Sequence, residues 1–163
     1  MSSIRETNYV HDIKALAQYP DAECELEIFL TVHAGHWGIA WPVWAPGVAR
    51  SPRNQAGYKY IDILPDTNNN FAFRLSIRLN GANTVRRWNK FPVGTLGLLD
   101  RNLLIEIAKS DDTVAIDTSG TEAGDCRRCV ANTLIMMTKK RIARGRLSEQ
   151  AVRAAIGTAN SLL

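Results

Sequence analysis

The spacing of hydrophobic residues changes once along this chain, and this change limits the folds open to it. In Phe71–Leu79 the apolar side chains alternate with Arg74, Ser76 and Arg78, the pattern of a strand with one buried face. In Thr95–Lys109 the leucines and isoleucines recur every three or four residues, as in an amphipathic helix. Strands that come first and helices that follow favour an α+β fold with an antiparallel sheet.

The remaining segments follow the same order. We expect a sheet of about four to five strands followed by helices, in a single domain over residues 1–163. The predicted strands are Leu26–Val32, His36–Val43, Tyr58–Leu64, Phe71–Leu79 and the short Thr113–Ile116. The predicted helices are His11–Tyr19, Thr95–Lys109, Asp125–Ala143 and Ser148–Leu162, the last with Ser148 as its N-cap.

The composition is that of an ordinary globular protein, with 45% hydrophobic and 22% charged residues and a net charge of +4. Five basic residues cluster late in the chain: Lys139, Lys140, Arg141, Arg144 and Arg146. Basic side chains at the C-terminal end of a helix interact favourably with the helix dipole, which would explain such a cluster. The alternative is a surface patch that binds nucleic acid or another anion. The chain shows no leader and no apolar run near 18 residues, so we expect a cytoplasmic protein without a membrane partner. Because the net charge is only +4, we also expect no nucleic-acid partner.

Cys126 is the strongest candidate for chemistry. With Asp125 as N-cap it would lie in the first turn of a helix, where the dipole and Arg127 favour the thiolate. His36, at the start of a predicted strand, could then act as its base. The alternative is structural, with Cys126 as a small buried hydrophobe and His36 as a hydrogen-bonded strand residue.

A nucleophilic site also needs a group that orients the histidine and side chains that bind substrate. Ser76 or Asn80 could orient His36 if their strand lies beside it. The candidate substrate-binding residues are Trp37, Trp41, Arg74 and Arg78. The alternative is a solvated polar sheet face, with the tryptophans in the core.

Cys126 and Cys129 form a C-x-x-C pair, which serves redox couples and zinc sites. Zinc needs four ligands, and the chain has three cysteines and no second such pair. We therefore predict no metal and no cofactor. Helical spacing instead predicts that Cys129 is buried about one turn deeper than Cys126.

Three segments carry a family resemblance: His36-Trp37-Gly38-Ile39, Phe73–Leu79 and Gly124–Val130. They look like the His-Trp strand, arginine-bearing strand and Cys-Arg helix start of a group of fungal proteins. Their order, over roughly residues 25 to 145, also resembles circularly permuted NlpC/P60-like folds such as the lecithin:retinol acyltransferase group.

The resemblance implies a permuted papain-like arrangement with a Cys126–His36 site. The expected activity is acyl transfer or hydrolysis on a small or peptidyl substrate, in fungi within secondary metabolism. The alternative is a non-catalytic module on the same scaffold that binds a small molecule or a protein. The sequence also allows a homodimer.

Overall fold

The computed structural model describes residues 10–11, 13–65, 71–81, 83–110 and 122–162, and the predicted short strand Thr113–Ile116 lies outside them. Within them the chain forms seven strands and five α-helices. The strands are β1 (Val10–His11), β2 (Leu26–His33), β3 (His36–Val43), β4 (Gly57–Pro65), β5 (Phe71–Leu79), β6 (Asn89–Leu96) and β7 (Gly145–Leu147). The helices are α1 (Ile13–Gln18), α2 (Asn83–Arg86), α3 (Leu98–Lys109), α4 (Glu122–Thr138) and α5 (Glu149–Asn160).

The strands form one sheet in the order β1-β5-β4-β3-β2-β6-β7. Only the short β1 runs parallel to its neighbour among the described pairs, and the others are antiparallel, which confirms the predicted α+β class. A two-residue turn joins β2 to β3. Its residues Ala34 and Gly35 have φ angles of 49° and 78°, as a tight hairpin turn of primed type requires.

The sequence did not predict β6. Pro92 and Gly94 interrupt its apolar alternation, and the pairing with β2 shifts register between Ile28 and Phe29. Gly94 has a φ of 153°, and a Cβ there would lie 2.1 Å from the carbonyl oxygen of Arg146. Because β6 takes residues 95 and 96, α3 begins at Leu98 and not at Thr95.

The predicted bounds of α4 are also wrong. The helix begins at Glu122 and ends at Thr138, so Asp125 is not its N-cap and Cys126 lies in its second turn. The N-cap of α5 is confirmed, since the Ser148 hydroxyl oxygen accepts a hydrogen bond from Ala151 N at 3.1 Å.

The sheet has a different apolar cluster on each face. Trp37, Ile39 and Ile61 point to the core, where residues of α3, α4 and α5 cover them. Ala40 and Tyr60 belong to a second, smaller cluster on the opposite face. That cluster also holds Tyr58, Val85, Phe29 and Trp88. Successive side chains along one strand therefore lie in different environments, one in the main core and the next in the smaller cluster on the opposite face.

The predicted apolar face of β5 is confirmed in the middle of the strand. Phe73 and Leu75 are buried in the core, whereas Leu79 at the strand end is exposed. No α-helix in the described ranges has the length and apolar character needed to cross a membrane.

Candidate functional site

A buried carboxylate lies near the middle of the sheet, on the face opposite the main core. Asp62 in β4 is 0% exposed. Strand register sets it opposite Gly38 of β3 on one side and Arg74 of β5 on the other. Directly opposed residues of antiparallel strands have side chains close enough to interact, so the register itself brings Arg74 to Asp62.

Two cationic or ionisable side chains bind this carboxylate. Arg74 donates from Nε to Oδ1 of Asp62 at 2.7 Å, and its Nη2 donates to Oδ2, a two-pronged contact. The Nε2 atom of His36 lies 2.8 Å from the same Oδ2. Since an ionised carboxylate only accepts hydrogen bonds, Nε2 carries the proton in this pair.

The charge state of Asp62 follows from this environment. Burial raises the pKa of Asp62, but the hydrogen bonds and positive charges of His36 and Arg74 outweigh burial and hold it below the ordinary value of 3.8. Asp62 is therefore ionised at neutral pH, and its two partners compensate its charge.

The network leads from the interior to the surface. The side chain of Asp62 is 0% exposed, whereas those of His36 and Arg74 are 34% and 24% exposed. A ligand could therefore reach the imidazole and the guanidinium, while the carboxylate behind them stays fixed.

Aromatic side chains adjoin the network on the same face. The Tyr60 ring lies over Gly38, where an added Cβ would be 2.2 Å from a ring carbon. Tyr60 stacks on Trp88 with ring centroids 4.8 Å apart, and the Arg78 guanidinium lies 5.3 Å from the Tyr60 centroid. Because Gly38 has no side chain, the Tyr60 ring fits between the ionic network of Asp62 and the other rings of the aromatic cluster.

Two buried hydroxyl groups on this face lack hydrogen-bond partners among the described residues, those of Thr31 and Ser76. Thr31 lies opposite Gly38 in the register, and Ser76 lies opposite Tyr60. Buried hydroxyl groups normally form a hydrogen bond, and these two have hydrogen-bonding capacity that no described protein group uses.

The predicted orienting residues are corrected by this geometry. Asp62 binds His36, in place of Ser76 or Asn80. Asn80 lies at the far end of β5, where its amide donates to the carbonyl oxygen of Gln55 at 2.8 Å.

The predicted substrate-binding set is also divided by the sheet. Trp37 and Trp41 are 1% and 0% exposed and belong to the main core. Arg74 contacts Asp62, and Arg78 lies over Tyr60, both on the opposite face. The four side chains therefore cannot line one pocket, and the tryptophans have the structural role that was the alternative.

The helix that carries Cys126 packs on the core side. Further along α4, Cys129, Val130 and Leu134 are buried in the main core, and Cys129 is 3% exposed, as predicted. The His36 imidazole binds Asp62 on the other face. The side chain of Cys126 lies outside the described residues, so its pairing with His36 stays a prediction.

The sequence contains one signal for Asp62 that hydrophobic alternation alone does not reveal. It stands between Ile61 and Ile63 within a predicted strand, and a charge in such a position needs a partner. An arginine on the next predicted strand was available, but only the register shows that Arg74 meets it. No group of three or more potential metal ligands occurs within the described part of the chain.

A scan against protein-family models and searches of curated proteins and of solved structures found no match for this chain. The resemblance to permuted NlpC/P60-like folds therefore stays a prediction.

Proposed function

We propose that this protein is a binding module, and that the face around His36, Asp62 and Arg74 binds a small molecule with a carboxylate or phosphate group. One observation carries the proposal: a fully buried carboxylate holds two side chains that both reach the surface. Replacing a buried ion pair by apolar residues is often neutral or stabilising. A network of this kind is therefore more readily explained by recognition than by stability.

The surrounding charge favours an anionic ligand. Arg74, Arg78 and Lys90 lie on the same face as the carboxylate of Asp62, and Lys90 Nζ contacts the Tyr58 hydroxyl at 2.7 Å. Arginine binds carboxylate and phosphate groups in a geometry that favours two parallel hydrogen bonds. The proposal includes a cytoplasmic location and does not require a homodimer.

The aromatic side of the face favours a ligand with a planar body. Trp88 is half-buried and stacks on Tyr60. A ring bound beside it would gain contact area, while its anionic group approached Arg74 and His36. The unpartnered hydroxyl groups of Thr31 and Ser76 add polar atoms to the same face.

Titration by NMR tests this proposal with three probes: benzoate, phenyl phosphate and the neutral benzamide. We expect the two anions to shift the His36 ring and Trp88 indole resonances in a saturable way, and benzamide to leave them unchanged. Arg74→Met should abolish the shifts, and Arg153→Met, on the exposed face of α5, should preserve them. Equal shifts from benzamide, or unchanged binding in Arg74→Met, would contradict the proposal.

A second proposal keeps the predicted enzyme, a cysteine-dependent hydrolase or acyltransferase with Cys126 as nucleophile and His36 as base. The 2.8 Å contact between His36 and Asp62 favours it, because an ionised carboxylate that orients a histidine is one half of a nucleophilic triad. The packing of α4 on the core face opposes it. Catalysis would require the thiol to reach the imidazole past the edge of the sheet.

Alkylation with iodoacetamide, read by mass spectrometry at each cysteine, separates the two proposals. The enzyme requires fast labelling of Cys126 at neutral pH that slows several-fold in His36→Gln. The exposed Cys24 is the internal control and should react at one rate in both proteins. Identical Cys126 rates in the two proteins would exclude the acyl-transfer mechanism.

A further inference from the structure

A second surface, far along the chain from the site above, concentrates positive charge. We call it the basic loop; it covers residues 139–146. It holds Lys139, Lys140, Arg141, Arg144 and Arg146, all of them exposed. None of the ion pairs found within the described ranges involves these five side chains.

The helix dipole accounts for only part of this cluster. The last turn of α4 contains no basic residue, and the helix ends at Thr138, before the basic loop begins. The dipole acts within about one turn of the helix end, so it reaches Lys139, Lys140 and Arg141, which directly follow Thr138. The helix-end explanation therefore applies to these three charges, and Arg144 and Arg146 lie further along the chain.

The structure holds the basic loop in a fixed position. The buried carboxylate of Asp100 accepts hydrogen bonds from Ala143 N at 3.1 Å and from Arg144 N at 2.9 Å. Gly97 N donates to the carbonyl oxygen of Arg144 at 2.7 Å. The backbone is thus preorganised, and less conformational entropy is lost when the loop binds a partner.

An exposed aliphatic side chain lies next in the chain to Asp100, which binds the basic loop. Leu99 is 75% exposed, more than any other large hydrophobic side chain in the described residues. Leu99 directly precedes Asp100, the residue whose carboxylate binds the backbone of Ala143 and Arg144. The patch therefore combines five positively charged side chains with one exposed apolar side chain that binding could bury.

We propose that the basic loop and Leu99 dock on the surface of an anionic lipid bilayer. Clusters of four to eight lysines and arginines attract acidic lipid headgroups, and an adjacent apolar side chain can insert between them. Proteins that bind single-stranded nucleic acid use aromatic stacking, which residues 97–99 and 139–146 cannot provide. Docking of this kind needs no helix that spans the membrane.

Co-sedimentation of the full chain with vesicles tests this surface. We expect binding to vesicles of phosphatidylcholine and phosphatidylserine, weakening as salt rises, and no binding to phosphatidylcholine alone. Lys139→Glu/Lys140→Glu should weaken binding by about tenfold or more. The matched control is Arg86→Glu/Arg87→Glu, an exposed pair elsewhere that should change binding little.

A second pair of variants tests the apolar contact. Leu99→Ser should weaken binding several-fold and keep the preference for phosphatidylserine, whereas Ile13→Ser, at a site 69% exposed, should not weaken it. Binding that ignores phosphatidylserine, an equal loss in both charge-reversal pairs, or no binding at all would overturn the proposal. Stronger binding to a single-stranded RNA oligonucleotide than to the acidic vesicles would also overturn it.

Discussion

Two buried charged networks in this molecule differ in where their contacts lead. Arg101 is 0% exposed and donates to the carbonyl oxygens of Cys24 and Leu96 at 2.8 and 2.7 Å, and to Ala22. Its ion-pair partner Asp21, at 3.0 Å, is itself 8% exposed. Asp62 is equally buried, yet both of its partners reach the surface.

The exposure of the partner side chains distinguishes a structural network from a candidate site. The Arg101 network ties the segment before β2 to α3 and to the end of β6, and its partners are mostly backbone carbonyl groups inside the protein. The Asp62 network fixes two side chains that solvent can reach. Loss of Arg101 should therefore act on stability, and loss of Asp62 or its partners should act on both stability and binding.

The largest effect is expected for Arg101→Met. It removes one of the two cations paired with Asp21, leaving Lys59 Nζ at 3.6 Å, and it leaves three carbonyl oxygens without this donor. We therefore expect a loss of about 3–5 kcal/mol in the free energy of unfolding. Urea denaturation measures it. Arg153→Met, which removes an exposed pair with Glu149, should cost at most about 0.5 kcal/mol. Similar values for the two variants would contradict the comparison.

Asp62→Asn should have a smaller effect. It removes a buried charge, but His36 and Arg74 are partly exposed and can turn toward water, so we expect a loss of about 2 kcal/mol. In a double-mutant cycle with Arg74→Met, the double variant should lose less than the sum of the single losses. Additive losses would show that the two side chains are not coupled.

The smallest effect concerns pH. Because the pKa of folded Asp62 lies below 3.8, the unfolded chain binds more protons in this range. The stability contributed by Asp62 is therefore present above 3.8 and lost as pH falls below it. Between about pH 5 and pH 3 the wild type should lose more stability than Asp62→Asn. Parallel stability curves for the two proteins would contradict the assigned contacts.

The sequence predicted the four central strands well, because their alternation is regular and turn residues bound them. It missed β6, where Pro92 and Gly94 break the pattern, and it placed the start of α4 three residues late. Helix ends depend on packing as well as on capping residues, so Asp125 was a misleading signal.

The site was predicted only in part. His36 was identified, but its partner Asp62 follows from strand register, which no local pattern in this sequence specifies. The division of Trp37 and Arg74 between two faces also required the sheet as a whole. Cys129 was placed correctly because i,i+3 spacing on a helix is a local property.

Phenyl phosphate binding to Arg74→Met tests the central claim most directly, that the Asp62 network is a ligand site and the Arg101 network is structural. Thermal unfolding with and without this probe reports binding as a rise in the midpoint temperature. We predict that Arg74→Met folds but loses the rise, while Arg101→Met is much less stable and keeps it. A rise in Arg74→Met equal to that of the wild type would contradict the account.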